Sequence, residues 1–200
     1  MAGIRLGLTG TIGSGKSTAL AFFSRLGWRI VRTDDLAREE MEAPDVVAAI
    51  RERWGGAVFH AGDGIDRRAV AGIVFGDPAE LEWLESVLHP RVRERWTRAL
   101  EQDRENDLVV EIPLLFEKNL ASSFDFVVSL NCPEPLQVKR LMERGLSADD
   151  IEARKNRQLS GAEKDSRADF VLSNCGTLSF LEKQVIRLSR RLRGQKQPLS

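Results

Sequence analysis

The run Gly10-Thr11-Ile12-Gly13-Ser14-Gly15-Lys16-Ser17, continued by Thr18, fits G-x-x-x-x-G-K-[ST] at every fixed position. Its glycines let successive backbone N–H groups turn toward one concavity. A helix N-terminus behind that concavity adds the positive end of its dipole, and the pair suits a polyphosphate. Lys16 brings a charge to the β and γ phosphates, and Ser17 a hydroxyl for a Mg²⁺ ion that keeps water ligands as well. The motif points to a nucleoside triphosphate and leaves the reaction open. Asp34 and Asp35 are a second candidate. A carboxylate there can take the proton of an acceptor hydroxyl and hold it in line. The same position is where an aspartate caps a helix, so one of the pair is expected to cap and one to do chemistry. Arg140 and Arg144 are four apart on one predicted helix face, and Arg154 and Arg157 lie on the next helix. An arginine-rich helix pair suits a lid that closes on nucleotide and excludes water. Glu143, Asp149, Asp150 and Glu152 are the alternative, purely structural partners of these arginines.

The elements that must position these groups can be read from the pattern. Short β-branched runs at Ile4–Thr9, Trp28–Thr33, Leu108–Ile112, Phe124–Leu130 and Phe170–Leu172 predict five strands. Helices are predicted over about Lys16–Leu26, Asp34–Trp54 with a break at Pro44, Asp66–Phe75, Pro78–Leu88, Arg91–Arg104, Glu134–Arg144, Ser147–Gln158 and Leu178–Arg193. Gly27 reads as a C-cap, Asp77 as an N-cap before Pro78, Ser147 as a cap with Asp150 three on, and His89-Pro90 as a stop. Ala57–Gly64 reads as a loop or small hairpin and Gly194–Ser200 as a frayed end. This alternation predicts an α/β fold of three layers around a five-stranded parallel sheet. In such a sheet the functional loops share one edge, which brings Asp34 and Asp35 near the γ-phosphate. The chain is expected to be one unit over 1–200. Its core would be 1–33, 105–133 and 168–200, with a helical insertion for the acceptor at 34–104 and a lid at 134–167.

Composition narrows the class. The 200 residues carry 30 basic and 30 acidic side chains, a formal net charge of zero, which argues against a nucleic-acid coat or a polybasic membrane binder. Cys132 and Cys175, with His60 and His89, give neither a disulfide framework nor a zinc spacing, and both thiols are expected to be buried. No run approaches ~18 apolar residues, and the first residues lack a signal-peptide core. The expected setting is a reducing cytoplasm. No Asn/Thr-Lys-x-Asp run follows a late strand, as a GTPase would need, and Leu108–Ile112 holds one acid, unlike the Walker-B strand of motor ATPases. A small-molecule kinase remains, with a nucleotide-sensing module as the non-enzymatic rival. The basic end, Arg187, Arg190, Arg191, Arg193 and Lys196, reads as a solvated helix face.

Over about Ile4 to Asn174 the sequence resembles the dephospho-CoA kinase family. The blocks that carry the resemblance come in order: Leu8-Thr9-Gly10 into Ile12–Thr18, Thr33-Asp34 with Leu36-Ala37-Arg38, Arg67-Arg68, Trp83-Leu84 to Leu88-His89-Pro90, Pro113-Leu114-Leu115-Phe116-Glu117, Gln137 with Arg140, Arg154 and Gln158, and Ala168-Asp169 before Asn174. The resemblance implies a P-loop kinase that phosphorylates the ribose 3′-hydroxyl of dephospho-coenzyme A with ATP and Mg²⁺. It implies Asp34 rather than Asp35 as the catalytic aspartate, with Lys16 and Arg140 on the transferring phosphate. Thr11, Gly13, Ser14, Gly15, Lys16, Ser17, Thr18, Arg140 and Asn174 would hold nucleotide, Asn174 near the adenine, and Ser17 the metal. Arg67, Arg68, His89, Pro113 and Leu114 would meet the acceptor. The implied protein is a monomer or weak oligomer with no nucleic-acid or membrane partner. Three departures stand out. Thr11 replaces a glycine, so its backbone must avoid positive φ. Arg32 replaces an aspartate, and the turn Arg144–Ser147 is one residue short.

Overall fold

In the computed structural model, which describes residues 2–60 and 64–195, the chain runs β1 (Arg5–Thr9), α1 (Lys16–Arg25), β2 (Arg29–Arg32), α2 (Thr33–Glu40), α3 (Pro44–Trp54), α4 (Arg67–Gly76), α5 (Pro78–Gln102), β3 (Leu108–Glu111), β4 (Phe126–Asn131), α6 (Glu134–Glu143), α7 (Ala148–Lys155), α8 (Gly161–Arg167), β5 (Phe170–Ser173) and α9 (Leu178–Gln195). The strands form one sheet in the order β2-β3-β1-β4-β5. β1 lies parallel between β3 and β4, with Leu8 opposite both Glu111 and Val128. β5 extends the sheet parallel to β4.

The two-residue period of the strands sorts the layers. Leu6 and Leu8 of β1, Val109 of β3 and Val128 and Leu130 of β4 share one buried cluster with Leu20 and Phe23 of α1 and Leu181, Val185 and Leu192 of α9. Residues of the other parity face the opposite layer. An added Cβ on Gly7 would come within 2.8 Å of Leu115 and 2.9 Å of Phe124. Ser129 donates its hydroxyl to Asp165 of α8 at 2.6 Å. This is the three-layer α/β arrangement that the alternating pattern predicts.

The chain divides into two compact units, Met1–Val31 with Asp103–Ser200, and Arg32–Gln102. The second is helical, apart from an isolated bridge between Phe59 and Ile65, and has its own core of Val46, Ile50, Val58, Val70, Leu84 and Leu88.

Local signals set most boundaries. Asp77 accepts from the Ala79 N–H at 2.8 Å, Gly27 takes φ 82, and Ser147 with Asp150 forms a reciprocal capping box. The expected stop at His89-Pro90 is corrected: Pro90 lies inside the 25-residue α5. Leu84, Leu88, Val92 and Trp96, all buried, form a stripe that continues through the proline. The burial of that stripe outweighs the one hydrogen bond a proline removes. Helix α8 has no counterpart in the sequence reading, although Ser160 and Glu163 form a second capping box at its start. Arg157 falls after α7 ends at Lys155. In the basic end, Arg193 is no free solvated charge, since it bonds Asp107 at 2.7 Å and the Leu26 carbonyl at 3.0 Å. Lys196 and the rest of the expected frayed end after Gln195 lie outside the described residues, as does 61–63 of the expected hairpin. Cys132 is buried as expected, but Cys175 is exposed, beside the Ser173 hydroxyl at 3.1 Å.

Candidate active site

The loop between β1 and α1 is built as its composition requires. Gly10, Gly13 and Gly15 take positive φ, and the only other described residue that does so outside glycine is Asn119. Thr11 therefore meets the constraint that replacing a glycine imposes. The N–H groups of Gly13 and Gly15 make no hydrogen bond among the described residues, whereas the Ser14 N–H is tied to the Thr11 carbonyl at 3.2 Å. The Ile12 N–H is held by Gln158 at 2.9 Å. The Gly15 carbonyl accepts from Thr18 at 3.0 Å and starts α1, whose first turn carries no acid to offset the dipole. Lys16 donates to the carbonyls of Gly10 at 3.0 Å and Thr11 at 3.1 Å. Ser17 is exposed at the helix start, and the fully buried Ser14 hydroxyl is unpaired among the described residues. Two free donors, an ammonium and an uncompensated helix end around one concavity fit a polyphosphate.

Arg140 and Asn174 brace this loop from behind. The Asn174 amide, buried, donates to the Ser14 carbonyl at 2.7 Å, and its own N–H bonds Asn131 at 2.7 Å. Arg140 reaches the Asn174 carbonyl at 3.5 Å and the Cys132 sulfur at 3.3 Å. Burial pushes the Cys132 thiol up, although Arg140 works against it. None of the acids named as structural partners holds Arg140. Lys139 lies 4.0 Å from Glu143, and Lys155 pairs with Glu134 at 2.5 Å and Glu152 at 3.5 Å. Arg144 is the exposed C-cap of α6, one residue beyond the end of the helix that carries Arg140.

The turn after β3 holds Pro113 and Leu114, both half-buried. The Pro113 carbonyl accepts from Thr9 at 3.3 Å and from Lys164 at 2.8 Å. Lys164 of α8 is fully buried and ion-paired to Glu117 at 2.7 Å, while Glu117 also holds the Leu159 N–H at 2.8 Å. Burial lowers the Lys164 ammonium pKa more than Glu117 raises it. Lys164 and Gln158 are site-supporting residues that the sequence reading did not assign. The Ser160-x-x-Glu163 box was the available signal for Lys164, since it marks the helix that carries it.

Asp34, Arg67, Arg68 and His89 belong to the Arg32–Gln102 unit. Helix α2 starts at Thr33, with Arg32 as an N-cap that makes no side-chain bond. Neither aspartate caps it, contrary to the expectation: both lie in the first turn. Asp35 accepts from Arg38 at 3.2 Å. Asp34 is exposed, and its carboxylate makes no hydrogen bond among the described residues. Arg67 donates to Glu42 at 3.0 Å and to the Arg38 carbonyl at 3.2 Å. Arg68 is exposed on α4. His89 is exposed on α5, 3.9 Å from Glu85.

The dephospho-CoA kinase family model matches residues 4–179. A dephospho-CoA kinase of Deinococcus radiodurans is 42% identical over 193 residues, 94% of this chain and 92% of that one. The crystal structure of TT1252 from Thermus thermophilus superposes with a TM-score of 0.80 at 36% identity, over 96% of this chain and 99% of that one. A dephospho-CoA kinase from Campylobacter jejuni shares the fold with a TM-score of 0.70 at 24% identity, over 96% and 98% of the two chains.

Proposed function

The chain belongs to the dephospho-CoA kinase family, and from that membership we propose that it uses ATP to phosphorylate the ribose 3′-hydroxyl of dephospho-coenzyme A, giving coenzyme A and ADP. The observation that carries the donor half is the glycine loop with the free N–H groups of Gly13 and Gly15 beside Lys16. In this reading Thr11, Gly13, Ser14, Gly15 and Thr18 shape the phosphate cradle. Lys16 turns from the Gly10 and Thr11 carbonyls to the phosphate oxygens. Ser17 and water would hold Mg²⁺, which when bound neutralises charge on the phosphates. Among the described residues no three His, Cys, Asp or Glu side chains cluster as ligands.

Asp34 takes the acceptor's hydroxyl proton as that oxygen attacks the γ-phosphorus, and the bond to the β-phosphate oxygen breaks to release ADP. Arg140 supplies positive charge to the phosphoryl oxygens in flight, and Asn174 borders the nucleotide. Arg67, Arg68, His89, Pro113 and Leu114 serve the acceptor. We assign 34–104 to acceptor binding, 134–167 to a lid, and 1–33, 105–133 and 168–200 to the nucleotide core. We further propose a cytoplasmic enzyme that is a monomer or weak oligomer. No described helix is long and apolar enough to cross a membrane.

The test is ADP release with dephospho-CoA against nucleoside monophosphates and small sugars. Stimulation by dephospho-CoA alone is expected, and its absence would overturn the acceptor assignment. Asp34→Asn is expected to lower kcat by ~10²–10⁴ with ATP binding kept. Undiminished turnover would remove Asp34 as the base.

A further inference from the structure

Helix α2 carries Asp34 in its first turn and buries none of its eight residues. Its packing partner is α5. A helix without a buried residue has little hydrophobic energy to fix its orientation. Charge takes that role. Arg91 donates from Nε to one oxygen of Glu40 at 2.7 Å, and Arg95 donates to the other at 3.2 Å. The same Arg91 clamps Asp45 at the start of α3 through two bonds of 2.7 and 3.3 Å. Arg95 also reaches Glu39 at 2.5 Å. The Glu40 side chain is only 13% exposed, so this carboxylate is largely withdrawn from water between two guanidinium groups one helical turn apart. Such charge-assisted, two-point contacts fix direction as well as distance. Both guanidinium groups are held more firmly protonated by these bonds, Arg91 chiefly by Glu40 and Arg95 chiefly by Glu39.

We propose that Arg91 and Arg95, through Glu40, are positioning residues that aim Asp34 by fixing helix α2 on α5. The proposal rests on Asp34 being the base. Glu40 lies six residues beyond Asp34, about 9 Å along the axis at ~1.5 Å per residue. Over that lever a tilt of about 6° moves the carboxylate by about 1 Å, a displacement that can cost ~10²-fold in rate. The first buried residue after Asp34 is Met41, just past the end of α2, and the apolar Leu36 and Ala37 between them are only half-buried.

The experiment measures kcat and KM for ATP and dephospho-CoA in Arg91→Ala, Arg95→Ala, Arg91→Lys and Glu40→Gln, each also in the Asp34→Asn background. Arg91→Ala is expected to lower kcat by ~10–100-fold and leave KM for ATP within about two-fold. Arg91→Lys is expected to recover only part, since an ammonium cannot hold Glu40 and Asp45 as a planar fork does. In Asp34→Asn the further loss from Arg91→Ala is expected to shrink to about two-fold, because a base that is gone cannot be misaimed. Should Arg91→Ala not yield folded protein, Glu40→Gln carries the same test with nearly unchanged shape. A full-sized loss that persists in Asp34→Asn overturns the proposal, as does an unchanged kcat in both Arg91→Ala and Glu40→Gln while Asp34→Asn alone is slow. If Asp34→Asn alone keeps full activity, the base assignment has failed instead, and the positioning role falls with it.

Discussion

At Gly15 a single methyl group should do damage in two separate ways. It sits at φ 95 and ψ 28 just before α1. An added Cβ would lie 2.2 Å from the Asn174 Nδ2, the atom that donates to the Ser14 carbonyl inside the protein. Gly15→Ala therefore adds two costs. Holding an alanine in left-handed backbone costs about 1–2 kcal/mol. Pushing Asn174 aside breaks a buried hydrogen bond, at about 1–3 kcal/mol. The sum is about 2–5 kcal/mol, or roughly 4–20 °C in melting midpoint for a domain of this length. Asn174→Ala alone should show only the second cost. In its background Gly15→Ala should show only the first, so the two changes couple by about 1–3 kcal/mol. Urea unfolding of the four proteins measures this directly, and titration calorimetry should show ATP binding lost in both Gly15→Ala proteins, since strain alone re-aims the Gly15 N–H. Costs that add to within about 0.5 kcal/mol would refute the claim that Asn174 and Gly15 occupy each other's space.

Two other outcomes test the surroundings of the loop. Burial holds the Lys164 pKa below its unfolded value, so between the two values the unfolded chain binds more protons and stability rises with pH. Unfolding from pH 8 to 10.5 should show that rise in the wild type and not in Lys164→Met, and equal slopes would sink the assignment. Cys175 is exposed while Cys132 is buried with its thiol pushed up, so native protein should react with iodoacetamide at Cys175 first, and Cys132 should be labelled only after unfolding. Peptide mass mapping reads the order, and prompt labelling of Cys132 in the native state would contradict its burial.

The phosphate loop was legible because backbone geometry restricts the residue types. Positive φ at Gly10, Gly13 and Gly15 leaves few alternatives, and the motif needs no distant partner to be recognised. The strands were legible for a similar reason, since their period sorts residues between two layers. What was not legible depends on contacts far along the chain. Pro90 looked like a stop because the local rule for proline is sound. The stripe Leu84, Leu88, Val92 and Trp96 overrides it because burial continues on both sides of the proline. Lys164 finds the Pro113 carbonyl 51 positions away, and no local pattern marks that lysine as buried. The aspartate pair shows the same divide at closer range. Asp34 and Asp35 were visible as chemistry, but their cap role depended on where α2 begins, and a start at Thr33 moves both inside the first turn.

The glutamates that follow carry this furthest. Glu39 and Glu40 look like the ordinary polar end of an exposed helix, and charge pairs on such surfaces usually contribute little. Glu40 differs because Arg91 and Arg95, 51 and 55 positions on, remove it from water and hold both its oxygens. A motif tells which group can react. The pairs proposed to aim that group are spaced too widely for the sequence to show, so the aspartate and the two arginines have to be tested together.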